Sequence, residues 1–253
     1  MPKVIIDKQS YHYAAAAPEN NGKNTLLFVH GSGGSQAIWT NQLNGLGQNF
    51  PTLAVDLPGH GNSEGAPSRE VREYSDFIFD FIERALGTKV ILAGHSLGGA
   101  IAIDFALRFP DKLSGLILVC TGAKLRVAPS ILENYKAGKP SPESVNFSYS
   151  DFADPDLKKQ TILEMRNTDP SVYYHDFLAC DNFNYLDRIG AITVPTLVIG
   201  ATNDLLTPPK YSQYLADTIP NAQLRIIERS GHMVMREQPE QLNALIKEFV
   251  ISL

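Results

Sequence analysis

Lys89-Val90-Ile91-Leu92-Ala93-Gly94-His95-Ser96-Leu97-Gly98-Gly99-Ala100-Ile101-Ala102-Ile103 decides how the chain is read. Val90 to Ala93 is a short continuous apolar run, the pattern of a strand buried on both faces. Gly94 and Gly98 bracket Ser96, and residues 97–109 are apolar nearly all round until Pro110 stops them. The stretch therefore predicts a buried strand, a sharp turn and a buried helix. A serine at such a turn lies beyond a helix N-terminus, where backbone N–H groups and the dipole stabilise negative charge.

The same kind of run recurs on both sides. Thr25-Leu26-Leu27-Phe28-Val29 and Thr52-Leu53-Ala54-Val55 precede it. Gly115-Leu116-Ile117-Leu118-Val119, Pro195-Thr196-Leu197-Val198-Ile199 and Gln223-Leu224-Arg225-Ile226-Ile227 follow. Helical periodicity separates them at residues 69–86, 97–109, 211–219 and 239–250. Alternation of this kind predicts an α/β fold with a doubly wound, mostly parallel sheet.

One stretch breaks the rhythm. Residues 121–187 contain no buried-strand run, and prolines stand at 129, 140, 142, 155 and 170. Short helical patterns cover 157–166 and 172–179. Phe147, Tyr149, Phe152, Tyr173, Tyr174, Phe177, Phe183 and Tyr185 raise the aromatic density above the chain's 9%. A structureless loop of that length is uncommon. The expectation is a core of residues 1–120 and 188–253 with a helical cap inserted at 121–187.

Composition narrows the function classes. The chain has 253 residues, 43% of them hydrophobic, enough for a sizeable core. A net charge of −5 with no basic stripe gives no reason to expect nucleic acid or an anionic membrane as partner. Cys120 and Cys180, the two cysteines, suggest a reducing compartment. The opening Met1-Pro2-Lys3-Val4-Ile5-Ile6-Asp7 lacks a long apolar segment, and no run approaches a bilayer span. A cytoplasmic location is the default. Gln36 and Glu64 stand where dinucleotide loops need glycine, and no phosphate-loop lysine follows. No metal-ligand spacing is seen, so neither metal nor cofactor is expected.

The G-x-S-x-G pattern alone does not select Ser96, because Gly61-Asn62-Ser63-Glu64-Gly65 fits it equally. Context separates the two: Ser63 lies between loops, Ser96 between a strand and a helix. With its context, Gly94-His95-Ser96-Leu97-Gly98-Gly99 resembles the nucleophile elbow of the α/β-hydrolase family. His30-Gly31-Ser32-Gly33-Gly34 resembles that family's oxyanion loop, and Asp56-Leu57-Pro58-Gly59-His60-Gly61-Asn62-Ser63 its loop after the next strand. The resemblance spans nearly the whole chain outside the cap.

The resemblance implies a nucleophile, an acid and a base in that order along the chain. Ser96 is the candidate nucleophile. Asp204 follows a strand after the cap and is the candidate acid, with Asp187 and Glu228 as rivals. His232 follows the last strand and is the candidate base. His12 reads as a surface residue and His175 as a cap residue, while His30, His60 and His95 suit loop orientation. The oxyanion donors implied are the backbone N–H groups of Leu97 and Ser32, with Gly33 as the alternative to Ser32. Gly31 and Trp39 are candidate substrate contacts, Trp39 being equally suited to the core. A serine at the elbow disfavours the carboxylate-nucleophile branches of the family, the dehalogenases and epoxide hydrolases. The expected activity is a serine hydrolase of the carboxylesterase type on small or medium apolar esters. The alternatives are a carbon–carbon bond hydrolase or thioesterase on the same triad, or a hydrolase-fold ligand receptor with little turnover.

Overall fold

The computed structural model describes residues 2–17 and 25–253. Strands β1 (Lys3–Ile6) and β2 (Gln9–Ala16) form an antiparallel hairpin. Strands β3 (Thr25–Val29), β4 (Thr52–Val55), β5 (Val90–His95), β6 (Leu113–Val119), β7 (Thr196–Ala201) and β8 (Ala222–Ile227) run parallel to one another. β2 joins β4 antiparallel, so the sheet has eight strands in the order β1-β2-β4-β3-β5-β6-β7-β8. The parallel strands are those foreseen as continuous apolar runs. Five of the six, β3 through β7, are almost wholly buried.

The helices are α1 (Thr40–Leu46), α2 (Val71–Phe81), α3 (Leu97–Arg108), α4 (Pro129–Lys136), α5 (Val145–Ser148), α6 (Pro155–Asn167), α7 (Pro170–Asn182), α8 (Pro209–Thr218), α9 (Val234–Glu237) and α10 (Pro239–Ser252). They cover both faces of the sheet. Successive strand residues point to opposite sides, so Leu27 and Val29 join α2, α3 and α8 in one core. Leu26 and Phe28 join Trp39, α1 and α10 in the other. Each fully buried Leu, Ile or Phe in these layers contributes about 1.5–3 kcal/mol relative to exposure.

Between β6 and β7 lie α4 to α7. Prolines at 129, 155 and 170 open helices there, their fixed φ suiting the first turn. Asp154 and Asp169 cap α6 and α7 through their carboxylates. Tyr135, Val145, Tyr149, Met165 and Tyr173 make a small separate apolar cluster. The insertion is anchored as well, because Ala123, Leu125, Ala179, Cys180 and Phe183 belong to the main core.

The N-terminal hairpin differs from the sequence reading, which recognised no strand before Thr25. Its turn uses Asp7 and Lys8 at φ 48° and 70°. Left-handed turns of that kind normally announce themselves by Asn-Gly or Asp-Gly. No helix among the described residues is long and apolar enough to cross a membrane.

Candidate active site

The site is built at the carboxyl ends of the parallel strands. β5 ends at His95, and Ser96 takes φ 54° and ψ −117° before α3 begins at Leu97. A non-glycine residue there costs on the order of 1–3 kcal/mol, which the surroundings must over-determine. They do so by close packing. A Cβ at Gly94 would collide with the Gly98 carbonyl, and one at Gly98 with the Val29 carbonyl. A Cβ at Gly99 would meet Thr121, whose hydroxyl donates to Ser96 O over 2.8 Å. Strand, turn and helix thus press together only because these positions carry no side chain.

Asp204 lies beyond β7 and His232 beyond β8. His232 Nδ1 and Asp204 Oδ2 are 2.9 Å apart, both side chains buried. The Asp204 carboxylate also accepts the Leu206 and Thr207 N–H groups at 2.9 and 2.8 Å and the Thr207 hydroxyl at 2.7 Å. Burial opposes its charge, but His232 and these donors outweigh it and hold its pKa down to about 2. With Nδ1–H given to Asp204, His232 Nε2 is left as the basic nitrogen. The rivals Asp187 and Glu228 are exposed, and among the described residues neither forms a hydrogen bond or ion pair with His232. Among the described residues Ser96 Oγ carries no hydrogen bond, while His232 Nδ1 is taken up by Asp204.

The loop after β3 lies against Ser96. A Cβ at Gly31 would stand 3.2 Å from Ser96 Cβ and 3.0 Å from His95 Nδ1. The backbone N–H groups of Ser32 and Leu97 donate to nothing among the described residues. The Gly33 N–H is engaged, donating to Asp176 Oδ2 over 2.7 Å. Trp39 corrects its reading as a substrate contact. It is fully buried, with its ring 4.8 Å from Phe28, and lies in the core.

The remaining histidines serve the loops. His30 Nδ1 donates to Gly31 O at 2.8 Å and Nε2 accepts Leu57 N–H at 3.1 Å, which fixes a neutral tautomer. Burial, aided by His60, pushes its pKa down to about 3. His95 is held neutral by burial, and its Nε2–H donates to His232 O over 3.0 Å. His60 Nε2 meets Asp176 at 2.8 Å. His12, expected at the surface, is half-buried in β2 because the hairpin packs on the loop of Ser63. His175 sits on α7 with Nδ1 donating to Ser171 O. Ser63 is tied down structurally, donating to Asp56 O at 2.8 Å and accepting His12 N–H at 2.9 Å.

Sequence reasoning missed Thr207, Asp176 and Glu237. Glu237 accepts Gly231 N–H at 2.9 Å and the Ser150 hydroxyl at 2.6 Å, bracing the His232 loop against the insertion. Thr207 had a readable signal, a carboxylate followed by local N–H and hydroxyl donors in one turn. Cys120, Asp204 and His232 have potential metal-ligand atoms within 4.8 Å of one another. Asp204 and His232 are already bonded to each other, and burial beside Asp204 keeps the Cys120 thiol protonated.

The alpha/beta hydrolase family model matches residues 26–245. The chain belongs to that family. Its eight-stranded, mostly parallel sheet is that of an alpha/beta hydrolase. The pimeloyl-acyl-carrier protein methyl ester esterase of Neisseria meningitidis is 27% identical over 246 residues, covering 89% of this chain and 93% of that protein. A solved structure of a thermophilic esterase superposes with a TM-score of 0.86 at 31% identity, over 99% of this chain and 97% of the other. The enol-lactonase of Burkholderia xenovorans shares the fold at a TM-score of 0.89 and 20% identity, over 99% of this chain and all of the other.

Proposed function

We propose that this alpha/beta hydrolase is a serine esterase that cleaves small or medium apolar carboxylic esters through an acyl-enzyme on Ser96. The observation that carries the reading is the buried 2.9 Å bond from His232 Nδ1 to Asp204, which leaves Nε2 basic beside a strained serine elbow. The esterases among its relatives support an ester as substrate.

The reaction follows from these groups. Substrate binding brings Ser96 Oγ to His232 Nε2, a contact that commonly tightens only in the complex. His232 takes the hydroxyl proton as Oγ attacks the carbonyl carbon. Asp204 stabilises the imidazolium without taking the proton. The oxyanion is received by the unoccupied N–H groups of Ser32 and Leu97, each such donor being worth about 3–4 kcal/mol in comparable sites. His232 returns the proton to the leaving alcohol, and water repeats the sequence on the acyl-enzyme. Residues 121–187 act as the cap, with Tyr173 set directly over Gly33 and Tyr135 and Phe177 packed on Tyr173. That aromatic roof suits an apolar acyl or alcohol group.

A p-nitrophenyl ester series of increasing acyl length tests the proposal. Short and medium esters are turned over, and Ser96→Ala abolishes turnover. Hydrolysis unaffected by Ser96→Ala would reject it.

A further inference from the structure

Helix α7 touches the oxyanion loop through one of its faces. Tyr173, Asp176 and Cys180 are spaced three and four residues apart, so they share that face. Tyr173 lies over Gly33, so closely that a Cβ at Gly33 would collide with its ring. Cys180 Sγ lies 3.6 Å from Ser32 Oγ. Asp176 makes the strongest of these contacts. Its buried carboxylate accepts Gly33 N–H at 2.7 Å, His60 Nε2 at 2.8 Å and the Tyr74 hydroxyl at 2.5 Å.

We propose that Asp176 is a positioning residue for the oxyanion hole, fixing the Ser32–Gly33 peptide so that the Ser32 N–H stays aimed at the reacting carbonyl. This rests on the Ser96 mechanism proposed above. In a trans peptide the N–H and C=O point opposite ways. Giving the Gly33 N–H to Asp176 therefore turns the Ser32 carbonyl away from α7. A flip of that peptide would set a carbonyl oxygen against a carboxylate. Gly33 is held at φ 63° in the same arrangement. The Ser32 N–H lies in the preceding Gly31–Ser32 peptide, so the Asp176 bond acts on it through the shared Ser32 Cα, by limiting how the whole turn can shift. A bare carboxylate here would oppose the negative charge forming beyond Ser32. His60 shares Oδ2 with the Gly33 N–H and Tyr74 donates to Oδ1, so both oxygens are compensated and Asp176 orients the loop at little electrostatic cost to the oxyanion. The cap is thereby coupled to the catalytic loop by a direct bond.

The test uses kcat and KM on p-nitrophenyl butyrate, together with the rate and final stoichiometry of labelling by a p-nitrophenyl alkylphosphonate. In Asp176→Ala, kcat and the labelling rate per site fall together by about tenfold or more, with KM changed by less than about threefold and the labelled fraction intact. Asp176→Asn keeps an acceptor oxygen for Gly33 N–H and recovers most of both rates. A purely structural role would instead lower the labelled fraction and spare the rate per site. Wild-type rate per site in Asp176→Ala overturns the proposal. Should Asp176→Ala fail to fold, Asp176→Asn decides with the Gly33 amide proton followed by NMR. A lost Gly33 hydrogen bond at wild-type rate overturns the proposal. A retained bond at near-wild-type rate supports it. Failure of the underlying Ser96 mechanism is seen separately, as absence of label on Ser96 in the wild-type protein.

Discussion

His95 Nε2 donates to the backbone carbonyl of His232 across 3.0 Å, joining the residue before the elbow to the residue proposed as base. The rings lie 4.6 Å apart, both buried. The two loops come from β5 and β8, and this bond sets their spacing. His95→Phe keeps the ring volume and removes the donor. We expect kcat to fall at least about tenfold with KM little changed, and a stability loss of about 1–3 kcal/mol from the unpaired carbonyl. Steady-state kinetics and urea unfolding check this, and unchanged kcat contradicts it.

Asp204 holds His232 in one tautomer. Asp204→Asn should lower kcat by roughly 10⁴ while KM stays near the wild-type value, as loss of the acid does in comparable triads. Asp187→Asn and Glu228→Gln should leave kcat unchanged, because both residues are exposed and neither pairs with His232 among the described residues. A large loss in either one, with Asp204→Asn active, would transfer the role.

Ser63 shares the elbow pattern and nothing else. Ser63→Ala should keep kcat within about twofold, while removing a hydroxyl that bridges Asp56 O and His12 N–H. Its stability should drop by about 1–2 kcal/mol, visible as a lower Tm. Loss of activity in a folded Ser63→Ala protein would count against the assignment.

The His60–Asp176 pair makes part of the stability pH-dependent. Burial disfavours the charged ring, but attraction and a hydrogen bond to Asp176, with Pro58 O and Asp56, raise its pKa above 6.5. His30, 4.9 Å away between ring centres, and the Tyr74 hydroxyl complete its surroundings. A pKa raised on folding contributes stability that is fully present below the unfolded value near 6.5 and lost as pH climbs through the folded one. The Tm gap between wild type and His60→Gln should be widest below about pH 6.5 and narrow as pH rises above it. A gap that widens with pH would reverse the sign of the argument.

The parallel strands were legible because burial on both faces forces continuous apolar runs such as Leu26–Val29. The elbow was legible because its glycines are required by backbone contact, as at Gly94 and Gly98. That Asp204 and His232 would meet was legible through their order at strand ends. The hairpin of β1 and β2 was not, since Asp7 and Lys8 adopt left-handed φ without a glycine to mark them. Asp176 was hidden for another reason. A lone carboxylate on a helix reads as a solvated charge, and its partners Gly33, His60 and Tyr74 lie more than 100 residues away in the chain. Only tertiary packing brings them together. Trp39 was ambiguous because proximity in sequence to the oxyanion loop says nothing of which side of the loop a side chain takes.

The most direct measurement is the site of covalent labelling. Wild-type protein is treated with the p-nitrophenyl alkylphosphonate, digested, and mapped by mass spectrometry. The account predicts one adduct per chain, on Ser96, formed far more slowly in His232→Ala and absent in Ser96→Ala. An adduct on Ser63 or any other residue, or labelling that persists in Ser96→Ala, would contradict it.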